Sequence, residues 1–283
     1  MDTRRAPAVG VLLRDWRQRR RLSQLALANY AETSTRHLSY LETGRARPSR
    51  AMVIHLSTVL EIPLRERNAL LLAAGYAPEY RESDLDDDYM RSVRFALDTM
   101  LKSHEPYPAF VIDRFWNVVA SNRGMTALMD EVPAHLMDPR PNVFRLVLHP
   151  DGLSSRLINR GQVRAYFLER LSHQVISTGD ADLRALHDEV VRYPAPKDSD
   201  ESPPDADAML PSPVQVPLRI RTPDGDMSMF STMATFGAPA DVTLSELAIE
   251  FFYPLDEFTD RLIHRLVEHE TRSSDDRADS SRH

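Results

Sequence analysis

The sequence predicts an all-α domain of five short helices followed by an α+β domain. Apolar residues recur at helical spacing through the first 74 positions, an acidic stretch at 78–90 interrupts them, and from about residue 104 the period shifts towards strands. A length of 283 residues favours about two domains, and 42% apolar residues supply a real core.

In the first part, Val9, Leu12, Leu13 and Trp16 fall on one helical stripe. Arg17, Arg19, Arg20 and Arg21 close that helix with positive charge, where the macrodipole favours it. Ser23 is a good N-cap for a second helix over Gln24–Tyr30. Ser34 can cap a third over Thr35–Glu42, stopped at Gly44. Pro48 and Ser49 open a fourth, with Met52, His55 or Leu56, and Val59 on one face, and Pro63 ends it. Residues 65–74 make a fifth, stopped by Gly75. Residues 78–90 carry Glu79, Glu82, Asp84, Asp86, Asp87 and Asp88 against Arg81 and read as a solvated linker or acidic hinge. Val93, Leu97, Met100 and Leu101 mark a connecting helix.

In the second part, 109–112 and 118–120 read as strands joined tightly through 113–115. Residues 122–130, 161–178 and 181–192 read as helices. The stretch 194–217 holds seven prolines and reads as a loop. Pro223, Asp224 and Gly225 make a hairpin turn between strands 217–221 and 227–236, and 247–253 adds a third strand to that meander. The boundaries expected are 1–77, a linker and connecting helix over 78–103, a second domain over 104–270, and a disordered tail over 271–283.

The net charge of −7 averages two unlike parts. Residues 1–60 hold eleven arginines and four acidic residues, a net +7, which leaves 24 basic and 38 acidic residues, a net −14, in the remainder. A basic head on an acidic body is the pattern of a chain with one end on phosphate. The chain has no cysteine, so disulfides, thiolate zinc sites and a flavin–cysteinyl adduct are excluded. Arg4 and Arg5 lead into a periodic segment, so no signal peptide is expected, and no segment is apolar enough to span a membrane.

The string LSQLALANYAETSTRHLSYLETGRARPS (22–49) resembles the Cro/repressor-type helix-turn-helix of the XRE family, helix by helix over 9–74. The resemblance implies a five-helix helix-turn-helix domain that binds double-stranded DNA as a homodimer, with half-sites about 34 Å apart. In that motif the third helix enters the major groove by its N-terminal end. Here that end presents Thr35, Arg36, Ser39 and Tyr40, with Leu38 and Leu41 towards the core. Arg36 suits bidentate bonding to guanine O6 and N7. For His37 a base contact and a plain surface position both stay open. Gln24 and Ser34 start helices whose free N–H groups face phosphate. Arg45, Arg47 and Arg50 follow the reading helix and would grip the flanking backbone. The resemblance also pairs Arg17 with Glu42 as a structural salt bridge. One departure is Glu32 in the turn, where family members often have glycine; if left-handed, it costs of order 1 kcal/mol.

The strings LRERNALLLAAGYAPEYRE (64–82), HEPYPAFVIDRFWNVVASNRG (104–124) and DMSMFSTMATFGAPADVTLSELAIEFFYP (226–254) resemble MmyB-like transcription regulators. The resemblance implies an α+β PAS-like domain with a pocket for an apolar, fatty-acid-like small molecule. Phe110, Trp116, Phe144, Phe167, Met229, Met233 and Phe252 are candidates to line it, and Arg164, Arg219 and Arg221 to meet a carboxylate at its mouth. The same aromatic residues could equally fill a solid core, which would make the domain a dimerisation or protein-partner module. No cofactor is expected. His264 and His269 are five apart and off a common helix face, so no metal site is expected there. No phosphate loop, dinucleotide fingerprint or nucleophile elbow is present, so no catalytic residue is assigned. The expected setting is the cytoplasm.

Overall fold

The structure is a computed structural model and describes residues 9–129, 131–194 and 216–280. The expected loop at 194–217 falls almost wholly outside the described residues, as do Arg4 and Arg5. The chain divides into two compact units: residues 1–90 with Phe236–Glu246, and 91–235 with 247–283.

The first unit contains α1 (Val9–Arg19), α2 (Gln24–Tyr30), α3 (Thr35–Glu42), α4 (Arg50–Val59) and α5 (Leu64–Ala73). Three serines start three of them. Ser23, Ser34 and Ser49 each accept a backbone N–H three residues on, from Ala26, His37 and Met52. Leu13, Leu27, Leu38, Leu41, Val53, Leu56 and Leu71 form the centre of the core. Each helix is followed by a left-handed residue: Arg21, Glu32, Gly44, Glu61 and Gly75. In the turn after α2, Thr33 N–H donates to Ala28 O at 2.9 Å and Glu32 N–H to Asn29 O at 3.3 Å. This is the paired closure that satisfies the last carbonyls of a helix.

Part of the arginine excess closes helices too. Arg20 donates to Leu60 O and Glu61 O, and Arg67 to Ile62 O. Guanidinium donors suit the negative end of a helix.

The segment 78–90 is held by the bundle instead of running free as a solvated linker. Asn68 Oδ1 accepts the N–H groups of Glu79 and Tyr80, and Asn68 Nδ2 donates to Tyr80 O. Glu79 pairs with Arg50, and Glu82 with Arg65. Glu79 and Glu82 thus answer arginines of the same unit. The segment Phe236–Glu246, with the short helix α12 (Val242–Ser245), belongs here as well. Arg65 forks onto Glu246 at 2.7 and 2.9 Å, and Val242 N–H donates to Arg81 O.

The second unit opens with α6 (Arg91–Ser103), followed by β1 (Ala109–Ile112), β2 (Val118–Ser121), α7 (Arg123–Met129), α8 (Ala134–Met137) and α9 (Val143–Leu148). Then come α10 (Arg160–Thr178), α11 (Ala181–Val191), β3 (Leu218–Thr222), β4 (Gly225–Thr235), β5 (Ala248–Pro254) and α13 (Glu257–Ser280). The five strands form one antiparallel sheet in the order β2-β1-β5-β4-β3. The meander is as expected, and β5 also pairs with β1, which closes the sheet's centre. Asp113 makes the tight β1–β2 connection: its Oδ1 accepts the N–H of Phe115 at 2.8 Å and of Asn117 at 2.9 Å. Trp116 there is left-handed, φ +67°, and its Nε1 donates to Gln174 Oε1 at 2.6 Å.

Four helices, α8, α9, α12 and α13, have no counterpart in the sequence reading. The run 143–148 is too short and too uniformly apolar for period to separate helix from strand. The backbone of 271–280 continues α13, where a disordered tail is expected. No proline or glycine interrupts 257–283, so nothing local stops the helix. Residues 281–283 lie outside the described residues.

Glu32 carries φ +46° with an exposed side chain, so burial of that side chain does not offset the left-handed backbone. Glu32→Gly should raise the unfolding free energy in denaturant by up to about 1 kcal/mol. A loss of stability would show that the glutamate side chain does more than the strain costs.

Candidate DNA interface and ligand pocket

The third helix of the first unit turns one face inward and one outward. Leu38 and Leu41 are fully buried, while Ser34 and Arg36 are exposed and Thr35, Ser39 and Tyr40 are half-buried. Arg36 Nε donates to Tyr40 Oη at 3.0 Å, and its guanidinium lies 5.4 Å from the ring centre. Arg45 approaches the same ring, at 6.0 Å. Two guanidiniums therefore flank one phenol on the leading face of α3. Such a group offers guanidinium and phenol donors of the kind that base edges and phosphates accept.

Two devices hold this helix. Arg17 Nε and Nη2 meet Glu42 Oε1 and Oε2 at 2.6 and 3.0 Å, and Nη1 donates to Leu22 O at 2.7 Å. Gln24 Nε2 adds a bond to Glu42 Oε2 at 2.8 Å. Arg17 and Glu42 are both buried, and the carboxylate hydrogen bond pushes the Arg17 guanidinium above its ordinary value. The second device is Gly10. A Cβ there would lie 2.3 Å from Leu41 O and 2.8 Å from Glu42 O. Only glycine lets α1 come this close to the end of α3. Nothing in the sequence pattern singles out Gly10.

The structure divides the other expected DNA residues. The Gln24 side chain is engaged with Glu42, within the bundle. Arg47 donates to Ala74 O at 3.2 and 2.8 Å and lies over Tyr76, so its fork closes α5. Arg50 pairs with Glu79. Arg36, Ser39, Tyr40 and Arg45 remain together on the outer face of α3 and the turn that follows.

The second unit encloses a cavity of about 450 Å³, within the size range of small-molecule pockets. Phe110, Phe167 and Phe252 line it, as the sequence suggests. Trp116, Phe144 and Met229 do not; they are buried in the surrounding core, with Phe144 edge-on to both Trp116 and Phe167. Met233 is 39% exposed and takes Arg170 Nη2 on its sulfur. Aromatic content alone does not separate lining from filling: Val143 and Val147 of α9 line the cavity, while Phe144 of the same helix fills the core. Arg164, Arg219 and Arg221 are not part of the wall either; Arg164 donates to Val191 O. The wall instead contains Glu250, which is buried and accepts the Ser231 hydroxyl at 2.6 Å. Burial pushes the Glu250 carboxyl above the ordinary carboxylate range, against the opposing pull of the Ser231 hydrogen bond and of Arg170.

Outside the pocket, His135, His149 and Asp151 come within 4.8 Å of one another. His149 Nδ1 already accepts the Asp151 N–H, and the cluster faces solvent, as an ordinary surface hydrogen-bonded group does.

A basic five-helix unit with an outward third helix, joined to an α+β unit around a cavity, defines a DNA-binding regulator with a ligand-binding domain. The family described as the helix-turn-helix domain matches residues 8–70, and the MmyB-like transcription regulator ligand binding domain matches 93–266. The chain belongs to the MmyB-like transcription regulators, and its second unit has the α+β, PAS-like architecture of that domain. No curated protein matches the chain. A solved structure titled "Structure of an RNA-binding Light-Oxygen-Voltage Receptor" aligns at 13% identity and a TM-score of 0.25 over 94% of this chain. The chain spans 63% of that structure's length, and so loose a superposition carries no argument. Among the described residues, no helix is long and apolar enough to cross a membrane.

Removing one partner of a buried ion pair strands the other, so Glu42→Ala should cost about 3–5 kcal/mol in denaturant unfolding. The double change Arg17→Met with Glu42→Leu should recover most of that; a single-variant loss below about 1 kcal/mol would contradict the assignment. A second expectation concerns pH. The folded chain holds the Glu250 proton to higher pH than the unfolded chain does. Its contribution is therefore full below the ordinary carboxylate range and is lost as pH rises through the raised folded value. Denaturant midpoints should fall over that window, and Glu250→Gln should flatten the fall; an unchanged slope in the variant would place its origin elsewhere.

Proposed function

We propose that the protein is a sequence-specific regulator that binds double-stranded DNA as a homodimer and senses an apolar small molecule. The single observation that supports the DNA reading best is the Arg36–Tyr40–Arg45 group on the free face of a helix that Arg17–Glu42 and Gly10 hold in place. Arg36 is the base reader, with Thr35, Ser39 and Tyr40 beside it on the groove floor. The starts of α2 and α3, at Gln24 and Ser34, and Arg45 take phosphate. Arg47, tied to the Ala74 carbonyl, adds fixed positive charge, and Arg50, whose charge Glu79 offsets, lends phosphate the donors that this pair leaves. The functional halves are 1–77 and 104–270, the latter lending its 236–246 connection to the first compact unit, and the protein works in the cytoplasm, where it meets DNA.

The cavity supports the sensing half of the reading over a filled dimerisation module. Occupancy changes DNA affinity or dimer geometry only if the ligand binds one arrangement better than the other. The strands that carry Ser231 and Glu250, β4 and β5, are joined by Phe236–Glu246, which belongs to the first unit. Changes in the sheet thus have a covalent route into the DNA-binding unit.

Selection of bound duplexes from a random pool tests the DNA reading. Wild-type protein should enrich a two-fold symmetric site. Arg36→Ala should lose preference at one base position in each half-site, worth roughly 1–3 kcal/mol. Arg45→Ala should weaken all sequences alike and lower the salt slope by about 1. An unaltered preference in Arg36→Ala would remove it from base reading.

A further inference from the structure

The polar content of the pocket wall selects a ligand class, given the pocket reading above. Phe110 of β1 and Met233 of β4 sit directly across from Glu250 of β5, and strand alternation puts Phe252 on the same face. Glu250 thereby enters a wall of aliphatic, aromatic and thioether side chains, with the hydroxyls of Ser121, Thr126, Tyr166 and Ser231. Among the described residues of that wall, Glu250 is the one carboxyl, and there is no lysine, arginine or histidine.

Its Oε1 accepts the Ser231 hydroxyl. Oε2 has no hydrogen-bond partner among the described residues, yet it is not sealed off, since it is not one of the fully enclosed polar atoms without a partner. An acceptor of this kind in an apolar wall costs free energy until a donor reaches it. A hydroxyl or amine supplies the donor. A carboxylate supplies a second acid, and two acids in one apolar site cannot both ionise cheaply.

The cation that acts on this site, Arg170, lies outside the wall, and its charge already offsets Glu250. Its guanidinium lies 4.4 Å from the Trp116 ring centre, with Nη2 on Met233 Sδ at 3.2 Å and Nη1 on Tyr166 Oη at 3.4 Å. We propose that the pocket takes an apolar molecule with a hydrogen-bond-donating head, a hydroxyl or an amine seated on Glu250, and rejects carboxylate heads. This reverses the fatty-acid-like ligand expected from the family resemblance.

Calorimetric titration of the full chain with decanol, decylamine and decanoate, each below its aggregation limit, decides it. The tails are matched, so the head alone varies. Decanol and decylamine should bind, and decanoate should bind about tenfold more weakly or worse, the factor that an unpaired buried acceptor implies. Glu250→Gln, with folding checked by circular dichroism, should narrow or invert that order. If the variant does not fold, the wild-type order alone decides. Decanoate binding as tightly as decanol, or an order unchanged in Glu250→Gln, overturns the head-group assignment and leaves the pocket standing. Binding of none of the three overturns the apolar-ligand reading and this inference with it.

Discussion

The Arg17–Glu42 fork is the contact on which the placement of α3, and with it the proposed DNA-reading surface, depends. It joins the end of α1 to the end of α3 through two charge-assisted bonds in a buried setting, and Gln24 and Leu22 O complete the shell. Leu38 and Leu41 fix which way α3 rolls, but apolar burial is non-directional and leaves its slide along α1 open. A bidentate guanidinium–carboxylate pair is directional, and so is the Gly10 approach to Leu41 O. Together they set where Arg36 and Tyr40 stand. A reading helix needs that accuracy, because base edges differ by single donors and acceptors.

Much of this was legible in the chain. Three serines preceding apolar stripes announced three helix starts, because an N-cap needs a short side-chain acceptor and little else. The turn Pro223, Asp224, Gly225 announced the β3–β4 hairpin by the same local logic. The separation of α3 into an outward Arg36 and an inward Leu38 followed from helical period alone.

What the sequence did not disclose depends on partners distant along the chain. Arg47 and Arg50 read as phosphate ligands because charge and position after α3 were all that could be seen; their ties to Ala74 O and Glu79 emerge only in the fold. The β4–β5 connection reads as part of the second domain by continuity, yet Arg65 and Arg81 gather it into the first unit. Among the expected pocket residues, Phe110 and Phe144 have the same composition signal, and only packing makes one a wall and the other a core residue. Glu250 was overlooked for a related reason: an isolated acid between aromatic residues in a strand resembles a solvent-facing position of the period-2 pattern. Its register partner on β1, the buried Phe110, shares the inward position, which the strand pattern of β5 alone does not show.

The central claim is that the leading face of α3 reads the major groove. Equilibrium binding of the full chain to its selected duplex, with each guanine in turn replaced by 7-deazaguanine, tests it most directly, since the replacement deletes one major-groove acceptor and leaves pairing intact. The account requires affinity to fall roughly tenfold at one symmetry-related guanine per half-site, in line with about 1–3 kcal/mol for a bidentate contact. Affinity unaffected at every guanine would contradict it.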